Sequence, residues 1–570
     1  MSELLDHCLK EVNKTEEVKR VDVIPQAERC YADNWELSTE IDIDDVRHDI
    51  ELYIGIPVEF PYTLPDFYFQ SLEFGYLPHL ESKNGKLCLY EDGSAFSIDN
   101  PVDIILESIR KAKELIKEGA AKTNFVDFLQ EIDSYWTREY NGEPDTKDSI
   151  ILYGKWPSDD CEINKLNYHV DYPEDVQKHF VINSLLYIGD NEPFDRYISR
   201  HFHHELGQAL FLKDVNIKEA APYNMTFGDF LRMLTDDGQK HARSFLNRNN
   251  GGDIYFKLTD NRIAGVRFEK ANLYKNGFRA LKPCFVYDNF ENKAKSLQRL
   301  FGFIYTRERA AERTAGKLTT SLKFLVVGLG SIGSNLVHFL MGYNNTSFTL
   351  IDRDVLTTDN IGRHVLGFRY VNISKVNGMA DYIKSSDIEA KVKPVESTLQ
   401  EYISGKFNKL NDFTAIFLCI GNVMTEKYMY QALIEGKVSV PIFNMWLEPF
   451  GVGGHMVYVN PRDNIKTIDI YEEGTHRYVH NIVKSEEYEN HRDMFIRRDA
   501  GCNGAYTIYS QNDVLLMLSA FYPIINRLLH EPSKSECYRW VGNVEYLQSQ
   551  GINLNVTSGI KEGTVQKFPL

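Results

Sequence analysis

The chain has 570 residues, 43% of them hydrophobic and 25% charged, with a net charge of −17 at pH 7. Its length predicts about three or four domains, and its composition argues against long disordered segments. The negative charge disfavours nucleic acid and anionic membranes as partners.

Eight cysteines are scattered along the chain, and no two of them form a C-x-x-C pair that could build a local zinc site. The residues after Met1 lack the basic and apolar regions of a secretory signal, and no run of about 18 apolar residues predicts a membrane-spanning helix. We therefore expect reduced thiols, no metal centre in the protein itself and a cytoplasmic location.

Residues 1–144 are predicted to form a small α+β domain. Alternating apolar positions are typical of half-buried strands, and apolar residues at helical spacing indicate helices. The predicted strands are 35–43, 49–56 and 67–69, and the predicted helices are 102–116 and 125–135. Asn100 followed by Pro101 is a typical start for the first of these helices.

The segment Asn84-Gly-Lys-Leu-Cys-Leu89 lies between the last of these strands and the first helix. With the order of elements around it, it resembles the thioester segment of the ubiquitin-conjugating enzymes, and the match extends over about residues 1–140. The resemblance implies that Cys88 carries an acyl group; the alternative is a buried cysteine that only packs. The family has an asparagine eight residues before its cysteine to support the oxyanion, where this chain has Leu80. We hypothesise that the neighbouring His79, or backbone N–H groups, takes over that role.

The region 145–298 carries no motif that assigns a function, and we predict a linker or middle domain. Residues 253–268 indicate a β-hairpin. A histidine-rich segment lacks the H-E-x-x-H spacing of a metal site and is predicted to be a polar surface segment. Its residues are His201, His203, His204 and Glu205.

Residues 299–570 predict a doubly wound α/β domain of the Rossmann-like type, in which helices cover both faces of a parallel sheet. The apolar run 324–327 is typical of a buried strand and leads into a G-x-G-x-x-G turn and a helix at 335–341. Such glycines permit positive φ and close approach of phosphate, and the helix N-terminus attracts an anion. A second strand ends at Asp352, at a distance from the turn that suits a ribose hydroxyl. The turn glycines are Gly328, Gly330 and Gly333.

The glycine fingerprint alone fits NAD or ATP, and the residues after Asp352 decide between them. Asn360, Arg363 and Lys375 add an amide and two cations. Hydride transfer has no clear use for them, whereas an adenylating enzyme needs cations to hold a triphosphate while a carboxylate attacks the α-phosphorus. Together these residues resemble the ThiF-type adenylating family, which includes the ubiquitin-activating enzymes, over roughly residues 305–530. The resemblance implies ATP and Mg²⁺ as cofactors.

Two further features bear on nucleotide binding. The same family has an aspartate that assists ATP and Mg²⁺ where this chain has Gly421. Asp354 is a candidate substitute; otherwise the nucleotide binds differently or activity is reduced. In the family an arginine before the glycine turn reaches the partner subunit's nucleotide, which implies a homodimer. We predict a helix over 300–315 that carries three candidates for this role, Arg307, Arg309 and Arg313.

Cys502 is the second candidate thiol. It lies between two glycines, which predicts a loop, and Arg497 and Arg498 precede it. Positive neighbours lower a thiol's pKa and raise its thiolate fraction. A long apolar helix is predicted at 514–529, as after the cysteine loop of bacterial activating enzymes of this type. Cys419, on a predicted buried strand, is expected to belong to the core.

Taken together, the two matches resemble bacterial fusions of activating-like and conjugating-like domains, the CD-NTase-associated protein 2 family of CBASS antiphage systems. The resemblance implies that the C-terminus of a cGAS-like nucleotidyltransferase is adenylated, carried as a thioester on Cys502 and then Cys88, and transferred to an amine. Tethering both thiols on one chain raises their effective concentration. The alternatives are a ThiF-like activator of a ubiquitin-like or sulfur-carrier protein, an NAD-binding oxidoreductase, and an inactive scaffold.

Overall fold

The computed structural model describes residues 2–25, 27, 29–43, 45–70, 77–81, 84–90, 94, 96–124, 136, 149–169, 182–189, 193–216, 225–259, 262–274, 280–291, 297–314, 316, 320–463, 465–498, 505–556 and 560–570. The chain divides into two units, Met1–Thr306 and Arg307–Leu570. Among the described residues, no helix has the length and apolar content that crossing a membrane requires. The helix predicted at 125–135 lies outside the described residues.

The first sheet of the N-terminal unit has five antiparallel strands in the order β1-β2-β3-β4-β5. They are β1 (Glu17–Arg20), β2 (Asp33–Ile43), β3 (Val46–Ile56), β4 (Asp66–Phe69) and β5 (Lys86–Leu87). Alternation along β2 turns Trp35 and Leu37 toward a core that helices α1 (Ser2–Val12) and α2 (Pro101–Ala120) complete. α2 begins after Asn100 with proline in its first turn. The predicted α+β character of this region is confirmed.

Seven strands of the same unit close into a barrel in the order β10-β11-β12-β6-β8-β7-β9, which the sequence did not predict. The strands are β6 (Ser149–Tyr153), β7 (Cys161–His169), β8 (Ile182–Tyr187), β9 (His203–Leu212), β10 (Gly252–Thr259), β11 (Arg262–Phe268) and β12 (Gln298–Tyr305). The helices are α3 (Pro193–His201), α4 (Phe227–Arg232), α5 (Asp236–Asn249) and α6 (Pro283–Val286). A π-helical turn (Tyr287–Glu291) follows α6. Strands β10 and β11 form the hairpin predicted at 253–268. β9 begins with exposed residues, as expected of a polar surface segment, and the described part of the chain holds no group of three possible metal ligands.

The helix predicted at 300–315 is wrong over its first half. The aromatic and branched residues of Gln298–Tyr305 favour a strand, and this segment is β12, which pairs with β11 and with the distant β6. Only Arg307–Thr314 is helical, as α7. The second unit therefore begins at Arg307, whereas the predicted domain began at residue 299.

An eight-stranded sheet organises the C-terminal unit, in the order β15-β14-β13-β16-β17-β18-β21-β22. The first five of these strands run parallel, and the last three join antiparallel at one edge. The strands are β13 (Leu322–Val327), β14 (Thr346–Ile351), β15 (Lys391–Val395), β16 (Ala415–Leu418), β17 (Ile442–Leu447), β18 (Gly453–Val459), β19 (Ile496–Arg498), β20 (Ala505–Thr507), β21 (Glu536–Val541) and β22 (Val565–Pro569), of which β19 and β20 form a separate antiparallel pair. The helices after α7 are α8 (Ser331–Leu340), α9 (Lys375–Ser386), α10 (Leu399–Ile403), α11 (Val423–Ile434), α12 (Ser485–Asn490), α13 (Arg492–Phe495), α14 (Gln511–His530) and α15 (Glu545–Ser549).

The central strand β13 shows why its sequence is continuously apolar. Phe324 and Val326 belong to one hydrophobic cluster, and Leu325 and Val327 belong to another. Because successive side chains point to opposite faces, both faces of the sheet are covered. The predicted doubly wound α/β architecture is confirmed, with α8 beginning at Ser331, a few residues earlier than predicted.

The strand order reverses between β13 and β16, because β14 and β15 lie on one side of β13 and β17 lies beyond β16 on the other. Open α/β sheets bind ligands in the crevice outside the carboxyl ends of the strands at such a point. Here the crevice lies between residues 328–333, which follow β13, and residues 419–422, which follow β16. The fold thus places the glycine turn where the sheet can accept a ligand.

Candidate active site

The three turn glycines differ in what a side chain at each position would meet. Gly328 has a φ of +84°, and an added Cβ would lie 2.7 Å from the carbonyl oxygen of Cys419. A Cβ at Gly333 would lie 1.8 Å from the carbonyl oxygen of Gly328, so only glycine lets α8 pack here. A Cβ at Gly330 would meet no atom within 4 Å. Two glycines therefore shape the turn, and Gly330 leaves open space in front of it.

That open space meets the N-terminus of α8. Gly330 is the N-cap residue and offers no side chain to cap the helix. The Ser331 hydroxyl is buried and has no hydrogen-bond partner. A helix N-terminus favours an anion, and an unpaired buried hydroxyl costs free energy until a ligand satisfies it. The turn therefore suits a phosphate group.

Asp352 follows β14 and supports the glycine turn. Its carboxylate accepts hydrogen bonds from the backbone N–H of Leu329 at 2.6 Å and of Asp354 at 2.9 Å. Asp352 also lines a cavity of about 480 Å³ together with Gly330. Each carboxylate oxygen has a second lone pair, so the group remains able to accept a ribose hydroxyl.

Lys375 is the first residue of α9 and is only 8% exposed. Its ammonium donates to the Asp354 carboxylate at 3.2 Å, and its N–H donates to the Asp354 carbonyl oxygen. Lys375 and Gly330 line both the smaller cavity and a larger one of about 630 Å³. Asp354 lines only the smaller cavity. Gly421 lines the larger cavity and has no side chain that could take the role of the aspartate that the resembled family has at this position.

Asn360 and Arg363 lie on a 3₁₀-helical segment, Thr358–Arg363, and both line the larger cavity. The Arg363 guanidinium donates to the backbone oxygen of Thr507 at 3.0 Å and lies over the ring of Tyr509 at 5.2 Å. Arginine has five N–H donors, so this bond leaves others for an anion in the cavity. Together with Lys375, Arg363 makes one wall of the cavity cationic.

His364 is a residue that sequence reasoning missed. It is 3% exposed, its Nε2 donates to the carbonyl oxygen of Leu329 at 2.8 Å, and its Nδ1 accepts from the N–H of Leu366 at 3.0 Å. Burial, helped by the charge of Lys375 and opposed by the bond to Leu329, lowers the pKa of His364 to about 4. The imidazole is therefore neutral at pH 7, and its hydrogen bond to Leu329 stabilises the glycine turn.

Other residues that line the larger cavity also carry polar groups that the sequence did not reveal. Arg477 stacks over Tyr488, with its guanidinium carbon 3.6 Å from the ring centroid, and its Nε is buried without a hydrogen-bond partner. The side-chain oxygen of Asn481 is likewise buried and unpaired. Glu426 accepts a hydrogen bond from the Tyr471 hydroxyl, and burial raises the pKa of this carboxyl. No feature of the sequence marks Arg477 and Asn481, because they lie in irregular segments that only tertiary packing brings to the cavity.

Cys88 is exposed, and its N–H donates to the carbonyl oxygen of His79 at 2.8 Å. That N–H is therefore not available to an oxyanion, which removes it from the backbone groups hypothesised for this role. His79 has a φ of +60°. Leu80 pairs with Leu87 and packs against the core of the sheet, so this position lies on the side away from the cysteine. The preceding turn needs Gly85, because its φ is +73° and a Cβ there would lie 2.5 Å from the Phe69 oxygen.

Cys502 lies outside the described residues. The strands on either side of its segment are β19 and β20, which pair through Arg498 and Ala505. The far end of β20 is Thr507, the acceptor of the bond from Arg363. Cys419 packs against the sheet core, and burial raises the pKa of its thiol to about 12, which agrees with a structural role.

The candidate arginines before the glycine turn differ in their surroundings. Arg307 pairs with Asp387 at 2.5 Å and contacts Asn345 of its own unit. Arg313 is exposed on the last turn of α7. Of these two, Arg313 is the one whose side chain projects into solvent, where a partner subunit would have to lie.

Comparison with known proteins agrees with these two regions. Residues 305–478 match the ThiF family, and residues 24–143 match the prokaryotic E2 family B. The Cap2 protein of Enterobacter hormaechei subsp. hoffmannii (strain UCI 50), an ATP-dependent ubiquitin transferase-like protein, is 26% identical over 125 residues. That segment is 21% of this chain and 21% of the relative, so the match spans about a fifth of the relative's length.

Similar solved structures align with low scores. They include selenomethionine PaaA (TM-score 0.29, 14% identity, 39% of this chain and 61% of that one) and E. coli MccB with MccA-N7isoASN (TM-score 0.29, 12% identity, 42% and 65%). E. coli tRNA N6-threonylcarbamoyladenosine dehydratase TcdA with AMP gives a TM-score of 0.22 at 22% identity over 24% and 58%. These scores are too low to support the fold, which rests on the strand order. The chain is a fusion of a prokaryotic E2 family B domain with a ThiF-family domain.

Proposed function

We propose that the chain is an ATP-dependent ubiquitin-like conjugation enzyme. It adenylates the C-terminus of a partner protein, carries the acyl group as a thioester on Cys502 and then on Cys88, and transfers it to an amine. The observation that carries the proposal is Arg363, which lines the cavity at the glycine turn and donates to Thr507 at the end of the strand that follows the Cys502 segment. One side chain thus links a cationic cavity wall to the strand that follows the predicted thiol in the sequence.

The nucleotide would lie across the two cavities that meet at Gly330 and Lys375. Asp352 suits the ribose in the smaller cavity. The phosphates would then meet the N-terminus of α8, the unpaired hydroxyl of Ser331, and the cations Lys375 and Arg363. Mg²⁺, when bound, would add positive charge that offsets the negative charge of the phosphates. It would take most of its ligands from phosphate oxygens and water.

Two residues that line the larger cavity suit the tail of a protein. Arg477 presents a buried N–H without an acceptor, and Asn481 presents a buried oxygen without a donor. A phosphate offers only acceptors, whereas a peptide backbone offers both a carbonyl oxygen and an N–H. These two side chains therefore support a bound peptide beside the nucleotide.

The chemistry conserves the activation of the acyl group at each step. The tail carboxylate attacks the α-phosphorus, and pyrophosphate leaves. The Cys502 thiolate attacks the acyl carbon, and AMP leaves. Cys502 lies five residues before Thr507 (507 − 502), so their Cα atoms are at most about 17 Å apart. The acyl group then passes to Cys88 by thioester exchange and to an amine by aminolysis.

The partner is proposed from resemblance and from the name of the relative. The acyl donor is the C-terminus of a cGAS-like nucleotidyltransferase or of a ubiquitin-like protein, and the acceptor is an amine on a target. The enzyme acts in the cytoplasm in antiphage defence, as a homodimer in which Arg313 reaches the partner subunit's nucleotide. Light scattering that finds a monomer would contradict this assembly.

Pyrophosphate exchange in the presence of the candidate donor tests the adenylation step, and non-reducing electrophoresis tests the thioesters. Cys502→Ser is expected to keep exchange and to lose acyl transfer to both thiols. Cys88→Ser is expected to keep exchange and to accumulate a reducible adduct on Cys502. Product formation that continues with both serines would overturn the proposal.

The same assay separates the alternatives. An activator of a sulfur-carrier or ubiquitin-like protein that does not use the second domain for transfer would show exchange and an adduct on Cys502, with Cys88→Ser as active as wild type. An oxidoreductase or a scaffold would show no exchange with any carboxyl donor.

A further inference from the structure

Lys86 and Cys88 project from the same face of the first sheet. Strand β5 pairs antiparallel with β4, with Tyr68 opposite Lys86 and Phe67 opposite Leu87. Phe67 and Leu87 are buried in the core. Because side chains alternate along a strand, Lys86 points away from that core, and so does the exposed Cys88 two residues later.

The Lys86 ammonium is held by Asp66 of the neighbouring strand. It pairs with one oxygen of Asp66 at 3.0 Å, while Tyr31 at 2.7 Å and Arg29 at 2.5 Å bind the other oxygen. One step beyond the last pair of the β4–β5 ladder, Asp66 stands opposite Cys88 (Phe67 with Leu87, then Asp66 with Cys88). The lysine ammonium is thus bound to a carboxylate at the level of the thiol.

Acyl transfer needs such a charge at this point. Sulfur carries negative charge when Cys88 attacks and when it leaves. The side chain at position 80 is on the core side of the sheet, and the N–H of Cys88 is bonded to His79. Neither of these two groups can stabilise that charge, whereas a neighbouring cation can.

We propose that Lys86, positioned by Asp66, stabilises the Cys88 thiolate during acyl transfer. The inference rests on the proposed function. In the exchange step, the Cys88 thiolate forms a bond to the acyl carbon and the bond to the Cys502 sulfur breaks, releasing a thiolate. In aminolysis the amine nitrogen bonds to the acyl carbon, Cys88 leaves as a thiolate and the amine proton passes to water. Lys86 keeps its proton throughout.

The charges around the thiol set the size of the effect. Arg29 adds a second cation to the Asp66 group. The carboxylates of Asp66 and Glu81 act against Lys86; the N–H of Glu81 donates to the Lys86 carbonyl oxygen, which places Glu81 on the neighbouring segment. His79 is opposite Cys88 on that segment. Burial lowers the pKa of Lys86, but the hydrogen bond and charge of Asp66 outweigh it and raise the pKa overall, so the ammonium stays charged. The pair is partly exposed, so we expect about a threefold effect.

The test is the rate at which iodoacetamide alkylates Cys88 in the full chain without nucleotide, followed by peptide mass spectrometry. Lys86→Met is expected to slow alkylation about threefold and to move the midpoint of its pH profile upward, and Lys86→Arg is expected to restore both. Lys113→Met is a matched control, because Lys113 is a similarly exposed lysine that pairs with Glu16 in the same sheet domain. Equal rates and midpoints in wild type and Lys86→Met would overturn the proposal.

Two internal reporters keep the result interpretable. Alkylation of the buried Cys8 in Lys86→Met would show that the variant had unfolded. In that case the wild-type protein is tested in 1 M NaCl, with N-acetylcysteine as the reference thiol. Because salt screens the lysine charge, alkylation of Cys88 should slow relative to alkylation of N-acetylcysteine. The absence of such slowing would overturn the proposal. Neither measurement uses ATP, so a negative result leaves pyrophosphate exchange, and with it the proposed function, untouched.

Discussion

Two turn glycines allow a matched pair of alanine substitutions. At Gly330 the φ is −73° and an added Cβ meets nothing within 4 Å, whereas at Gly333 it would lie 1.8 Å from the carbonyl oxygen of Gly328. Gly330→Ala should therefore leave stability unchanged or raise it by up to about 1 kcal/mol. Gly333→Ala should cost about 3 kcal/mol, because a backbone oxygen has to move.

The two substitutions should also separate folding from ligand binding. A methyl group at Gly330 stands where a phosphate would approach the helix N-terminus, so affinity for ATP should fall by at least about tenfold, or 1.4 kcal/mol. Gly333→Ala should lose binding together with stability. A loss of about 3 kcal/mol lowers the melting temperature of a domain of this size by about 6–12 °C.

Calorimetric titration with ATP and thermal unfolding followed by circular dichroism measure both effects. Gly367→Ala is the control, because a Cβ there also meets nothing within 4 Å, φ is −95° and the residue lines neither cavity. Wild-type ATP affinity in Gly330→Ala would refute a phosphate site at this turn. A wild-type melting temperature in Gly333→Ala would refute the packing argument.

Three further substitutions test individual roles. The pKa of folded His364 is about 4, against an ordinary value near 6.5, so its contribution to the free energy of unfolding, about 3 kcal/mol, is complete above pH 6.5 and is lost as pH falls toward 4. His364→Gln should therefore make the free energy of unfolding, measured by denaturation, less dependent on pH over that range. An unchanged pH dependence would contradict this role. Asp354→Asn should raise affinity for Mg²⁺-free ATP about threefold by freeing Lys375, whereas weaker binding only with Mg²⁺ would make Asp354 a metal ligand. His79→Ala should slow aminolysis of acyl-Cys88 about tenfold if the imidazole supports the oxyanion, with His79→Asn, which tolerates positive φ, controlling for backbone strain; normal rates in both would exclude the role.

The parallel part of the C-terminal sheet and its glycine turn could be predicted because their signals are local. An apolar strand that alternates between two cores, a turn whose glycines each have a steric reason, and a carboxylate at fixed spacing all lie within 324–352. Asn360, Arg363 and Lys375 line one cavity because all three lie between the end of β14 and the first residue of α9, in the same βαβ unit. Short-range order was sufficient for these predictions.

The barrel, and the approach of Arg477 and Asn481 to the larger cavity, could not be predicted in this way. Gln298–Tyr305 is a strand because β6, about 150 residues earlier, pairs with it, and the basic helix just after it made the whole segment resemble a helix. Arg477 and Asn481 belong to irregular segments that carry no periodicity. His364 directly follows Arg363, yet its role comes from a bond to Leu329 that only tertiary structure creates.

Arg363 connects two regions of the C-terminal unit to which the proposed function assigns separate steps. Its guanidinium donates to Thr507, the last residue of β20, and still faces the cavity beside Lys375. A planar fork with five donors can hold a phosphate and a carbonyl oxygen at once, which a lysine ammonium would do with less directional control. The strand that leaves the Cys502 segment is therefore tied to the same cation that a triphosphate would engage. One guanidinium therefore contacts both the cavity and the end of the strand that follows the Cys502 segment, and Arg363 is the side chain through which these two regions meet.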